Sequence, residues 1–145
     1  MPALNTLYRD YRDRAEFFVV YIQEAHPIDA WQLDDNIKDD VLVAATRTAA
    51  ARDEAVGLCV TKLGIELPAL VDAIDDRVER AYTAWPDRLY VIDRNGYVVY
   101  KSAAGPFGFK PAQVQETLER ILADRSRIPT KPNAAQGDTM SRRLR

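Results

Sequence analysis

The sequence is poor in the residues that build disulfides and metal centres. It has one cysteine, Cys59, and one histidine, His26, among 145 residues. A single cysteine excludes both an internal disulfide and a Cys-x-x-Cys redox couple. Zinc sites need three or four protein ligands, so a metal site built from His and Cys is not expected. A glycine-rich phosphate loop is also missing, and we therefore predict no metal and no bound cofactor.

Long apolar runs and an excess of one charge are lacking as well. No apolar run reaches the roughly 18 residues of a membrane helix. Met1 is not followed by the basic region and apolar stretch of a signal peptide. The formal net charge of −2 gives no general attraction to nucleic acids or anionic membranes. These features predict one cytoplasmic globular domain, with no nucleic-acid or membrane partner.

The first half of the chain contains the patterns of two helices and a strand. Apolar residues at helical spacing predict an amphipathic helix over residues 3–14. The continuous β-branched and aromatic run 17–22 predicts a central strand covered on both faces. Thr46 or Thr48 can cap a second helix, which is expected to end at Gly64.

The second half contains a strand, two helices and a polar end. Residues 68–72 are expected to form a short strand and 77–84 a short helix. Pro111 opens a last amphipathic helix. From residue 126 the chain is polar and has no periodicity, so we predict a folded domain over 1–125 and a disordered polar tail over 126–145.

A hairpin is the clearest local signal. The β-rich runs 88–93 and 97–101 flank the pair Asn95 and Gly96, two residues that tolerate positive φ. With the preceding elements, the order is typical of an α/β fold. We predict a thioredoxin-like mixed sheet with flanking helices, ending in a β-hairpin and a helix.

One segment resembles a known motif. Residues 21–31, YIQEAHPIDAW, closely resemble the Tyr-Ile-x-Glu-Ala-His-x-x-Asp-Gly-Trp motif of the iodothyronine deiodinase family, with Ala30 where the family usually has glycine. Further matches lie at residues 81–82, 88–92 and 105–109, so the resemblance extends over about residues 4 to 122.

This resemblance implies a thioredoxin-like fold and the reductive removal of iodide from iodinated aromatic rings. In the family, a selenocysteine or cysteine at the start of the first helix does the chemistry, within a Cys-x-Sec/Cys-Pro-Pro stretch that lies just before the region matching Met1. An external thiol is the expected reductant. That stretch is not in this sequence, so we expect a chain truncated at its N-terminus relative to the family and inactive as written.

The strand that precedes the first helix in the family is also outside the sequence. It is expected between the strands matching 17–22 and 89–92, and its absence would leave two unpaired edges within the sheet. We therefore expect Met1 to be an internal methionine of a longer protein. A UGA codon for selenocysteine upstream of Met1 would be read as a stop.

Candidate site residues follow the predicted first strand. Glu24 and His26 point to one side if the chain stays extended, and a carboxylate beside an imidazole can support proton transfer. The resemblance implies that His26 manages protons at the ring carbon or the leaving iodide, that Glu24 supports it, and that Tyr21 belongs to the same network. Trp31 could line a pocket for a flat ring. The alternatives are a solvated Glu-His pair and a Trp that anchors a loop.

Other residues limit the function. Cys59 lies on an apolar helix face and is predicted to be a buried, inert thiol rather than a resolving cysteine. The second histidine of animal family members is absent, and Ala104 stands where some carry arginine. Thyroid hormone is therefore not the expected natural substrate.

Three functions stay open at this point. The first is a deiodinase-like oxidoreductase, and the second is a peroxiredoxin-like thiol reductase. The third is a non-catalytic thioredoxin-fold binding domain. The expected partners are a small aromatic or peroxide substrate and a thiol electron donor, and the oligomeric state is open, a homodimer included.

Overall fold

The predicted helices and strands occur in the predicted order along the chain. The computed structural model describes residues 1–30, 34–38 and 40–125. The predictions for Trp31 and for the tail 126–145 lie outside the described residues. The elements are α1 (Pro2–Tyr11), β1 (Val19–Tyr21), α2 (Asp34–Lys38), α3 (Ala49–Lys62), β2 (Ala69–Val71), α4 (Arg77–Tyr82), β3 (Tyr90–Ile92), β4 (Val98–Lys101) and α5 (Pro111–Arg125). Only the short helix α2 has no counterpart in the sequence patterns.

The ends of α3 follow from its capping residues. The Thr48 side chain accepts a hydrogen bond from the Ala51 N–H at 3.2 Å, so Thr48 rather than Thr46 is the N-cap. At the other end, Gly64 adopts a φ of 57°, a left-handed conformation that glycine tolerates best.

The β3–β4 hairpin is confirmed, but its loop differs from the expected turn. Gly96 has a φ of 87°, whereas Asn95 is not among the residues with positive φ. Instead, the carboxylate of Asp93 accepts the N–H groups of Asn95 and Tyr97 at 2.8 and 2.9 Å. These backbone hydrogen bonds hold the pKa of Asp93 below its usual value.

The strands form two separate pairs, as expected for a sheet that lacks the strand between residues 17–22 and 89–92. Strands β1 and β2 are parallel, and β3 and β4 are antiparallel. Within the described ranges no strand hydrogen-bonds to both β1 and β3, so the two pairs are not hydrogen-bonded into one sheet. The α/β class is therefore confirmed, with two small sheets and flanking helices.

The main core lies where α1 and α5 pack on β3. Its buried members are Leu7 and Tyr11 of α1, Val91 of β3, and Val114 and Leu118 of α5. These are the apolar faces predicted for the first and last helices. A hydrogen bond of 3.0 Å from the Tyr11 hydroxyl to the Glu119 carboxylate also joins α1 to α5.

The expectation that β1 is covered on both faces is wrong. Phe18 and Val20 are 54% and 41% exposed, and Ile92 of β3 is 45% exposed. All three line a groove of about 1490 Å³ that runs between the two strand pairs. These exposed apolar side chains therefore face the groove.

Candidate functional site

The carboxylate of Glu24 is the centre of a hydrogen-bond network just after β1. The hydroxyl of Tyr21, the last residue of β1, donates to Glu24 Oε1 at 3.1 Å. Thr46, in the segment before α3, donates its backbone N–H to Oε2 and its hydroxyl to Oε1, both at 3.0 Å. The structure thus brings Tyr21 and Glu24 together, as the sequence predicted.

His26 lies two residues beyond Glu24 and is half-buried. The prediction that the Glu24 and His26 side chains point to the same side assumed an extended chain from residue 24 to residue 26. Strand β1 ends at Tyr21, however, and the backbone bends at Gln23 and again at residues 25–26. Alternation along a strand therefore does not orient His26 relative to Glu24. The proton-transfer role of the two residues stays a prediction.

Cys59 reaches the same network from α3. Its thiol is buried and lies close enough to the Tyr21 hydroxyl for each group to affect the pKa of the other. Burial raises the pKa of the thiol, and the nearby Glu24 charge raises it further, while the interaction with the Tyr21 hydroxyl opposes them. A thiol with a raised pKa is a poor nucleophile at neutral pH. The prediction of a buried thiol is confirmed.

The Tyr21 phenol is strongly held in its neutral form. Burial is the largest cause of the raised pKa of Tyr21, followed by the charges of Cys59 and Glu24. At any physiological pH the phenol therefore keeps its proton, which it donates to Glu24. This fixes Tyr21 as a donor in the network.

Arg52 of α3 is a member of the site that the sequence analysis missed. Only 2% of the residue is exposed. Its Nε donates to Thr46 Oγ1 at 3.1 Å, and its guanidinium also binds the Ala73 carbonyl at 2.7 Å and Asp76 Oδ1 at 2.8 Å. A signal was present, because residue 52 shares a helix face with the apolar positions 56 and 59.

The arrangement of the site suits proton chemistry. No cluster of three or more His, Cys, Asp or Glu side chains that could hold a metal ion occurs in the part of the chain that the structure describes. What the site offers is a carboxylate with three fixed donors, at the end of a strand and next to the half-buried His26. Such a carboxylate can orient a neighbouring proton carrier.

Comparison with known proteins decides the family. The family model "Iodothyronine deiodinase" matches residues 1–122, which include the whole network. The chain belongs to the iodothyronine deiodinase family. It is similar to a type I iodothyronine deiodinase of Xenopus laevis, with 32% identity over 123 residues, covering 80% of this chain and 44% of that protein.

Other relatives give the same result. A type II iodothyronine deiodinase of Petromyzon marinus is 35% identical over 119 residues, covering 82% of this chain and 40% of the relative. A thyroxine 5-deiodinase of Gallus gallus is 31% identical over 121 residues, covering 83% and 45%. This deiodinase-family chain thus spans less than half the length of these curated relatives. In the described residues no helix has both the length and the apolar character needed to cross a membrane.

Proposed function

We propose that this domain is part of a deiodinase-like oxidoreductase that removes iodide reductively from iodinated aromatic compounds. The observation that carries the proposal is the family match over residues 1–122, which contains the Tyr21–Glu24 network. The net reaction converts an aryl iodide and two thiols into the arene, iodide, one proton and a disulfide. The thiols supply both electrons, and the ring carbon takes a proton as the carbon–iodine bond breaks.

The proposed roles follow from the site. His26 transfers the proton that the ring carbon gains or that accompanies iodide, and Glu24 orients the His26 side chain. Cys59 is buried and has a raised pKa, so it is not the reducing nucleophile. We assign that role to a selenocysteine or cysteine outside residues 1–145, near the start of α1, where the helix dipole stabilises an anion. Residues 1–145 alone are then inactive in redox turnover.

A strand in the groove between β1 and β3 would complete a thioredoxin-like sheet, and the backbone of β1 supports this. The Val19 N–H donates to the Pro68 carbonyl, and the Tyr21 carbonyl accepts the Asp72 N–H. Peptide groups of successive strand residues point to opposite edges. The N–H and C=O of Val20 therefore point away from β2.

The backbone of β3 gives the matching edge. The Leu89 carbonyl accepts the Ser102 N–H, and the Asp93 N–H donates to the Tyr97 carbonyl, so residues 89 and 93 face β4. The peptide groups of Tyr90 and Ile92 consequently point away from β4. Residues 18–20 and 89–93 line the same groove, and so do Met1 and Leu4. A segment directly ahead of Met1 would therefore enter it without a long connection.

The enzymatic proposal is tested with the full-length protein, after the DNA upstream of Met1 is read in frame for a cysteine or UGA codon. With para-iodophenol and dithiothreitol, we expect iodide release, and we expect Glu24→Gln and His26→Asn to lower kcat about 100-fold, the scale of general acid–base catalysis. Glu54→Gln, at an exposed position of α3, is the matched control.

The alternatives give different results in that assay. Consumption of hydrogen peroxide without iodide release would indicate a peroxiredoxin-like reductase. No turnover of either substrate with excess dithiol would indicate a non-catalytic binding domain. Iodide release that persists unchanged in both site variants would contradict the assigned roles.

The strand proposal is tested with a peptide. A peptide that covers the proposed strand, upstream of the Cys-x-Sec/Cys-Pro-Pro stretch, is added to the 145-residue chain at about 100 times its Kd and should stabilise it by about 2.7 kcal/mol. The control is the same peptide N-methylated at alternate amides, which cannot pair with both edges. Equal stabilisation by both peptides, or no added hydrogen-exchange protection at Val20 and Ile92, would rule the strand out.

A further inference from the structure

The Arg52 guanidinium connects the candidate site to the body of the fold. Its side chain is 3% exposed, and its partner Asp76 is 20% exposed. Besides Asp76 and the Ala73 carbonyl, the same nitrogen contacts the Asp72 carbonyl at 3.3 Å. These acceptors lie in the loop that joins β2 to α4, so the far end of Arg52 is fixed by this loop. An arginine buried in this way is held in one conformation by its hydrogen bonds.

The direction of each hydrogen bond at Thr46 follows from the chemistry of Arg52. A guanidinium has five N–H donors and no acceptor, so Thr46 Oγ1 must accept from Nε. The hydroxyl has one hydrogen, and the carboxylate of Glu24 is the acceptor within reach, at 3.0 and 3.2 Å from the two oxygens. Arg52 therefore orients the Thr46 hydroxyl proton toward Glu24.

Thr46 needs such support, because the segment around it is irregular. Residues 41–47 belong to no helix or strand, and the Thr48 side chain is already used as the α3 cap. Thr46 nevertheless supplies two of the three donors to Glu24, one from its backbone and one from its hydroxyl. Without a contact to α3 the position of these donors would depend on the loop alone.

We propose that Arg52 is a positioning residue, which acts through Thr46 to fix the carboxylate of Glu24 in the site. The proposal rests on the proposed function, because it assumes that Glu24 takes part in turnover. Because only 2% of Arg52 is exposed, we do not expect it to touch the substrate. Its effect passes through one hydroxyl group, and this makes the effect separable from a general contribution to stability.

Activity measurements on the full-length protein test the path through Thr46. We expect Thr46→Val and Arg52→Lys each to lower kcat about tenfold, the equivalent of one hydrogen bond to a charged group, with KM changed less than twofold. Thr46→Ser retains the hydroxyl and should stay within twofold of the wild type. The double variant should lose no more than Thr46→Val alone, because both changes break the same path.

A control and an NMR measurement separate this proposal from the proposed function. Arg77→Lys, at a side chain that is 71% exposed, should leave kcat unchanged. In NMR spectra of the full chain, the Thr46 amide proton should move upfield in Glu24→Gln and in Arg52→Lys, but not in Thr46→Ser. This readout does not depend on turnover, so a lack of iodide release from the wild type would refute only the proposed function.

Two outcomes would overturn the positioning role. The first is a Thr46 amide proton whose chemical shift is the same in Arg52→Lys as in the wild type. The second is a double variant whose loss is the product of the two single losses, since independent effects would mean that Arg52 does not act through Thr46. If Arg52→Lys does not fold, the NMR signal of the Arg52 Nε–H decides the question, because this group donates to Thr46 Oγ1. It should shift in Thr46→Val and stay unchanged in Thr46→Ser, and an unchanged signal in both variants would overturn the proposal.

Discussion

Replacing Gly108 with alanine is expected to lower the free energy of unfolding by roughly 3 kcal/mol, the upper range for overpacking. A Cβ atom at this buried residue would lie 2.1 Å from the Ala103 carbonyl oxygen and 2.3 Å from the Ala103 carbonyl carbon. Both are backbone atoms, so no side-chain rotation relieves the clash. The loop would have to open and lose the 3.0 Å hydrogen bond from the Gly108 N–H to Ala104.

Gly57 provides the matched control for this change. A Cβ at Gly57 meets nothing within 4 Å, and the residue lies in the interior of α3. Gly57→Ala should therefore stabilise the domain by about 0.5–1 kcal/mol through helix propensity. Urea unfolding followed by circular dichroism measures both variants. A Gly108→Ala variant as stable as the wild type would show that this loop is packed differently.

Removing the carboxylate of Asp72 is the second change with a large expected effect. Asp72 is 3% exposed, and its oxygens accept the N–H groups of Ala73 and Glu79 at 2.8 Å and of Val78 at 3.1 Å. It thereby caps α4 from outside the helix, since Asp76 at the N-cap position makes no side-chain cap. Asp72→Ala leaves three N–H groups without this acceptor and should cost roughly 3 kcal/mol.

The nearby Asp75 is the control for Asp72. Its side chain is 59% exposed and pairs with an exposed arginine, so Asp75→Ala should change stability by less than about 0.5 kcal/mol. Asp72→Asn should fall between the two, because the amide keeps one acceptor oxygen. Chemical denaturation gives the three values, and equal stabilities of Asp72→Ala and Asp75→Ala would contradict the capping role.

Elements with a local signal could be predicted from the sequence. The hairpin was predicted from Gly96 between two β-rich runs. Helix α5 was predicted from Pro111 and the apolar face that follows it. Helix α3 was predicted to within a residue or two at each end, because capping and helix termination depend on neighbouring residues. The choice between Thr46 and Thr48 needed the structure, since each has a hydroxyl at a suitable distance along the chain.

The contacts that build the site could not be predicted in this way. Glu24 meets Thr46 across 22 positions, and Arg52 meets Asp76 across 24. A single polar residue in a helix gives no sign of such a distant partner, so the sequence analysis did not single out Arg52. The motif resemblance found Tyr21 and Glu24, but not the residues that hold them. The exposure of Val20 could not be predicted either, because it depends on which elements pack beside β1 and not on the residues next to Val20 in the sequence.

The core described for α1, β3 and α5 has a consequence for biosynthesis. Leu7 and Tyr11 are made well before Val114 and Leu118, on which they pack. Translation is slower than helix formation, so the apolar face of α1 stays exposed until β3 and α5 have been synthesised. During synthesis, this face is the part of the nascent domain that chaperones would have to protect until α5 leaves the ribosome.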